Sequence, residues 1–121
     1  MPPLTEGRTA GDFVQYDEAQ YSRDVAVIGA GADLEPGTVL GKVTATGKYV
    51  RCASGAADGS ETPVAVLRTE AKAASADVNA VIQARHTRVR RFGLIFDNSF
   101  ADEAARDGAC EALKSVGIVA G

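Results

Sequence analysis

Tryptophan is absent from this sequence, histidine occurs once, and three Tyr and four Phe make up the whole aromatic content. A core without large rings must be assembled from Val, Ile, Leu and Ala, which bury less area per residue. In a chain of 121 residues this points to one domain with a modest core, for which association with a partner is a natural source of added stability. The scarcity of histidine also limits the chemistry. A Ser-His-Asp site would have to use His86, and no Gly-x-Ser-x-Gly elbow supplies its nucleophile. The neighbours Arg85, Thr87 and Arg88 suit a solvated or interface strand face instead. The two cysteines, Cys52 and Cys110, lie far apart and in no metal-like spacing. They read as buried or half-buried thiols of a reducing compartment rather than as a disulfide or a zinc site.

Long apolar runs are also missing. The longest are a handful of residues, far below the ~20 that span a bilayer, and the start at Met1, Pro2, Pro3 and Leu4 has neither the basic nor the apolar part of a signal peptide. Synthesis in a cytoplasm without export by the usual route, and no membrane association, are expected. Basic charge is not in excess: thirteen Lys and Arg stand against sixteen Asp and Glu, a net charge of −3. That argues against a dedicated nucleic-acid binder. The stretches around Gly29 to Gly31 and Gly55 to Gly59 lack the Gly-Lys-Ser/Thr of a phosphate loop and read as turns. Asp102 and Glu103 belong to a helix start, and Asp58-Gly59 is a turn signal. Lys72 lies in Ala-rich surroundings without the hairpin tip that a biotin or lipoyl carrier needs. No catalytic, cofactor-binding or metal-ligating residues are expected, and the chain does not read as an enzyme.

What is present is a series of short β segments. Residues 1–20, punctuated by Pro2, Pro3, Gly7 and Gly11, read as a flexible or extended arm ahead of a β-rich domain over 21–121. Within that arm Phe13, Val14 and Tyr16 are apolar, either as sticky residues that order on a partner or as the run-in to the first strand. Val25, Val27 and Ile28 form a β-branched run. Leu34 to Gly37 is a Pro-Gly turn whose glycine can take the positive φ of a type II turn. Thr38 to Thr44, a corner at Thr46-Gly47, and Lys48 to Cys52 read as a hairpin, with Gly41 marking a bulge or a close backbone approach. Residues 53–62 are a loop, Pro63 opens a strand over Val64 to Leu67, and the Ala-rich residues 68–76 read as a loop with room for a helical turn. Asp77 to Ala84 and Thr87 to Arg91 are β-like, and Phe92 to Phe96 is the most hydrophobic segment.

The one helix is expected to begin at Asn98 or Ser99, with Ser99 and Asp102 at capping-box spacing. Ala104, Ala105, Ala109, Ala112, Leu113 and Val116 give it an apolar stripe, and Gly117 ends it. Ile118 and Val119 add a closing strand. Arg85, Arg88, Arg90 and Arg91 are the sharpest charge feature. A charged edge strand or a protein interface is favoured over nucleic acid, because no aromatic residues interleave with them.

From Tyr21 onward the order of these pieces resembles the bacteriophage head decoration protein family of the lambda protein D type. The likeness rests on Tyr21 to Asp24, on Leu34 through Tyr49, on Asp58 to Pro63 leading into Val64 to Leu67, on the basic strand Ala84 to Val89, and on the helix ending near Leu113 and Gly117. The resemblance implies a mainly β fold with one C-terminal helix, a partly open barrel of the β-clip type that forms a homotrimer. It implies a partner, the major capsid protein of the phage head, and a place on the outside of the expanded capsid at three-fold and quasi-three-fold sites. It also implies an N-terminal arm that orders on the capsid, here including Phe13, Val14 and Tyr16, and it implies no cofactor and no enzymatic residues. The arginine cluster is richer in charge than the family pattern. A virion-surface adhesion or carbohydrate-binding module is the alternative, although sugar sites usually present more exposed aromatics.

Overall fold

The computed structural model describes residues 13–18 and 20–121. The first twelve residues of the expected arm, and residue 19, lie outside the described residues. The remainder of the arm segment belongs to the domain: Val14–Asp17 is the first strand, β1, and Phe13 before it is 2% exposed and part of the core. Of the two roles open to these residues, the structure therefore gives Phe13 and Val14 that of a run-in to a strand.

The fold is mainly β with one C-terminal helix, as expected. Strands β2 (Arg23–Ile28), β4 (Val39–Lys42), β5 (Tyr49–Arg51), β6 (Ala65–Leu67) and β8 (Val78–Gln83) form a closed barrel in the order β2-β5-β4-β6-β8. Its seam between β2 and β5 is thin, a single parallel pair, Ile28 with Tyr49. The long antiparallel pairing of β2 with β8 runs from Arg23–Gln83 to Ile28–Val78. A second sheet places β9 (Thr87–Val89) between β1 and β10 (Ile118–Ala120). The expectation of a charged edge strand is thus corrected, because β9 is hydrogen-bonded on both sides, antiparallel to β1 and parallel to β10. Strand β3 (Ala32–Leu34) pairs with β7 (Ala71–Ala73). This corrects the loop expected at 68–76: Ala71 and Ala73 are buried on either side of exposed Lys72. Methyl groups are small enough for the β3–β7 ribbon to lie close on the barrel.

Two clusters of buried side chains share one wall. On β4, Val39 faces one cluster and Leu40 the other; on β6, Val66 faces the first while Ala65 and Leu67 face the second. This follows from the two-residue period of a strand. Both faces of β4 and β6 are covered, so they read as continuous apolar runs. The barrel-side cluster also holds Ile28, Ala80 and Ile82, and the other packs Phe13, Val89, Leu94, Phe100 and Ile118 against Ala109 and Leu113 of helix α1 (Glu103–Ser115).

The turns carry the registers. Gly37 has φ +97 and Thr38 N–H donates to Glu35 O at 3.2 Å, the expected type II turn. Gly47 has φ +73 at the β4–β5 corner, whose strands pair Lys42 with Tyr49 and Leu40 with Arg51. Gly41 is a close approach: a Cβ there would stand 2.1 Å from the Ser60 carbonyl oxygen. Helix α1 begins later than expected. Asp102, not Ser99, is its cap, with an extended backbone and its carboxylate accepting from Ala105 N–H at 2.8 Å. The Asp97 side chain instead accepts from Ser99 N–H at 3.1 Å, and the Ser99 hydroxyl accepts from Ser54 N–H at 2.9 Å. Residues 97–100 are therefore a turn pinned to the 53–62 loop. The helix ends at Val116, followed by Gly117 at φ +88.

Both cysteines are free thiols; Cys52 is buried and Cys110 half-buried. Burial pushes the Cys52 thiol up to about 12, so it stays protonated and inert at neutral pH.

Two glycine substitutions separate packing from backbone entropy. Gly41→Ala must push the Ser60 backbone aside and is expected to cost about 3 kcal/mol or more. Gly108→Ala sits inside α1 with nothing near the added methyl and should stabilise by about 0.5–1 kcal/mol. Denaturant unfolding of both variants checks the pair, and equal effects would contradict the close approach.

Candidate functional site

Several open hollows mark the surface of the described residues. One hollow is lined by Gly29 to Ala32, Leu34, Val50, Arg51 and Asp97, and another by Leu94, Phe96, Arg106 and the turn at Arg91 and Phe92. Among the described residues no group of three His, Cys, Asp or Glu could hold a metal ion, and no helix is long and apolar enough to cross a membrane. The features that distinguish this surface are exposed apolar side chains on rigid supports: Tyr16, Tyr21, Val25, Val27, Phe92 and Val119.

They fall into three places. On the outer face of the β1-β9-β10 sheet, Tyr16 and Val119 flank Arg88, each paired in register with it. At one end of this row His86 makes edge contacts with Tyr16 and Tyr21, with ring centroids 6.0 and 5.8 Å apart. His86 has φ +47, a left-handed conformation that a non-glycine residue rarely takes. It is held there by Ser22, whose hydroxyl donates to His86 O at 2.8 Å, and by the close passage of Gly117. A second place is the outer face of β2, where Val25 and Val27 alternate with the inward Ala26 and Ile28. The third is Phe92, fully exposed on the 3-10 turn Arg91–Gly93.

The four arginines of the sequence cluster do not act as one patch. Arg85 forms a forked pair with Asp24 at 2.6 and 3.2 Å and caps Tyr21 O. Arg91 is held between Glu103 at 3.0 Å and Asp107 at 2.6 Å. Arg88 reaches Gln15 at 3.3 Å, and Arg90 is exposed with no ion-pair partner among the described residues. Two of the four charges are thus already matched by carboxylates, which weakens any common attraction to phosphate.

Sequence reading missed a polar seam between the barrel and the outer sheet. Asp17 Oδ2 accepts from Arg23 Nε at 2.7 Å and Gln83 Nε2 at 3.2 Å. Gln83, fully buried, also accepts from Arg68 at 2.9 Å and donates to Thr87 at 3.0 Å. Asp17 and Gln83 lie 66 positions apart along the chain, so no local pattern could announce their pairing. The Arg23 hydrogen bond, helped by Gln83, holds the Asp17 carboxyl below its ordinary range. The seam fastens β1 to the barrel.

A mainly β, helix-ended domain with exposed apolar side chains agrees with the comparison with known families. The family model of bacteriophage lambda head decoration protein D matches residues 3–118. The chain belongs to this family. A search of curated proteins gives no match. Head decoration proteins of this family are structural components of the virion.

The Asp17 seam predicts a pH dependence. Its folded pKa lies below the unfolded one, so its stabilisation is complete above the ordinary carboxylate range and disappears as pH falls through the lowered folded value. Asp17→Asn should lose about 2 kcal/mol at neutral pH and flatten the acid limb of the stability curve. Urea unfolding from pH 7 down to pH 2 measures both; an unchanged acid limb would exclude Asp17 as its source.

Proposed function

We propose that the protein decorates the outer surface of an expanded phage head as a homotrimer, binding the major capsid protein at three-fold and quasi-three-fold positions. The observation that carries this reading is the family match, which extends across nearly the whole chain. On this reading the chain is made in the host bacterial cytoplasm and ends on the capsid exterior, where it clamps neighbouring shell subunits.

The residues before Phe13 are the arm that reaches the shell. Their composition, with Pro2, Pro3, Gly7 and Gly11, suits an extended segment that orders by adding a strand to a partner sheet. Phe13 and Val14 root the arm; Tyr16, half-exposed on β1, is the member of the apolar trio left free to touch a partner. Three arms on one trimer engage together, so modest contacts give tight overall binding when the shell presents three sites at matching distances. Arg85, Arg88, Arg90 and Arg91 serve this reading as interface or surface charges rather than as a nucleic-acid site.

Two truncations test the boundary. Deleting residues 1–12 should leave the melting temperature and the solution mass of a trimer unchanged while abolishing co-sedimentation with expanded heads. Deleting residues 1–20 removes Phe13 from the core and Asp17 from its seam, and should cost several kcal/mol of stability, of which Phe13 alone accounts for about 3–5 kcal/mol. Full decoration by the shorter deletion would end the arm mechanism.

A further inference from the structure

The turn Arg91–Gly93 raises Phe92 to complete exposure beside the place where the N-terminal segment leaves the domain. The contact between turn and root is direct. Arg90 N–H donates to Phe13 O at 2.8 Å, and a Cβ on Gly93 would lie 2.4 Å from that of Phe13. The root of residues 1–12 and the Phe92 ring therefore share one region of the surface.

The turn is also fixed from several sides. Gly93 N–H donates to Arg90 O, Leu94 N–H to Arg91 O, and Arg91 N–H to Gly121 O, at 3.0 to 3.1 Å. The Arg91 guanidinium is anchored by Glu103 and Asp107 on α1, and Leu94 is buried behind the turn. A large ring on a backbone that needs no further ordering is the kind of residue that dominates protein interfaces, because its apolar area is gained with little entropy cost. In the free domain the same ring contributes nothing to the core.

We propose that Phe92 is a second shell contact, seating in an apolar socket on the capsid subunit that receives the arm. The inference rests on the decoration reading above. It follows from where the chain ahead of Phe13 joins the domain, against this same turn: a segment that binds a partner does so at least cost when its root already stands at the bound surface. The hollow beside the ring has a mixed wall, with Leu94 and Phe96 beside Arg91, Glu103 and Arg106, and suits an amphipathic side chain of the shell.

The test uses the full chain and its Phe92→Ala variant, with binding to expanded, undecorated heads measured by co-sedimentation, and solution mass and melting temperature measured alongside. The expected result is at least roughly tenfold weaker binding for the variant, with mass and melting unchanged because the ring touches no core residue. Equal binding by both proteins would overturn the Phe92 contact and leave decoration standing. A change in solution mass would assign Phe92 to a contact between copies of this chain and overturn the proposal in that way. Failure of the unaltered protein to bind heads would remove the decoration reading itself, and this contact with it.

Discussion

Strands β4 and β6 carry two cores at once, and most of the architecture depends on that shared wall. With no Trp and only four Phe, the chain cannot fill one deep core with rings. It instead uses Val39 and Val66 on one side of the wall and Leu40, Ala65 and Leu67 on the other. Every residue of these two strands except Lys42 is then buried whichever way it points, which raises the apolar area removed from water per residue. The arrangement leaves little spare volume. Glycines at 41 and 93 stand where backbone or side chain of a neighbouring segment occupies the space of a Cβ. In such a structure a single methyl group added at the wall is felt as displacement, not as extra packing.

The same wall determines what the surface can offer. Because the helix and the outer sheet cover one side of the barrel, the exposed apolar residues are confined to elements that the wall already holds in place. Tyr16 and Val119 lie on strands flanking β9, and Phe92 lies on a turn clamped between Phe13, α1 and the C-terminal residue. The Asp17–Gln83 seam adds a directional constraint. A purely apolar joint between barrel and outer sheet could slide, whereas a buried amide with three specified partners fits only one register. Its carboxylate and guanidinium groups are satisfied by one another, so the seam fixes geometry without leaving an unpaired charge.

The parts of the fold that could be read from sequence are those set by local chemistry. The Pro36-Gly37 turn, the Gly47 corner, the strand on either side of it and the Gly117 helix stop each depend on a backbone preference of a few adjacent residues. The strand Ala71–Ala73 could not be read in this way, since alanine has no β preference and its burial comes from pairing with Ala32–Leu34, some forty residues distant. The helix start was displaced because two residues, Ser99 and Asp102, are both good caps, and a long-range bond from Ser54 engages the first. The surface was less legible still. Phe92 belongs to the most hydrophobic segment of the chain, and hydrophobicity argues for the interior; only the 3-10 turn, built on a contact between Gly93 and Phe13, turns the ring outward.

Phe13 joins these lines. As a sequence feature it was ambiguous between an arm that binds and a strand that packs, and the structure gives it to the core. That placement changes how an arm ahead of it would work. A pull at Phe13 is resisted by a buried ring, the cluster packed around it and the β1–β9 ladder, instead of by a frayed terminus whose few hydrogen bonds open at little cost. For a protein of this family, which serves the phage head as a structural component, resistance to opening at this point of the domain matters. The burial of Phe13, the β1–β9 ladder and the Asp17 seam act together on that one requirement.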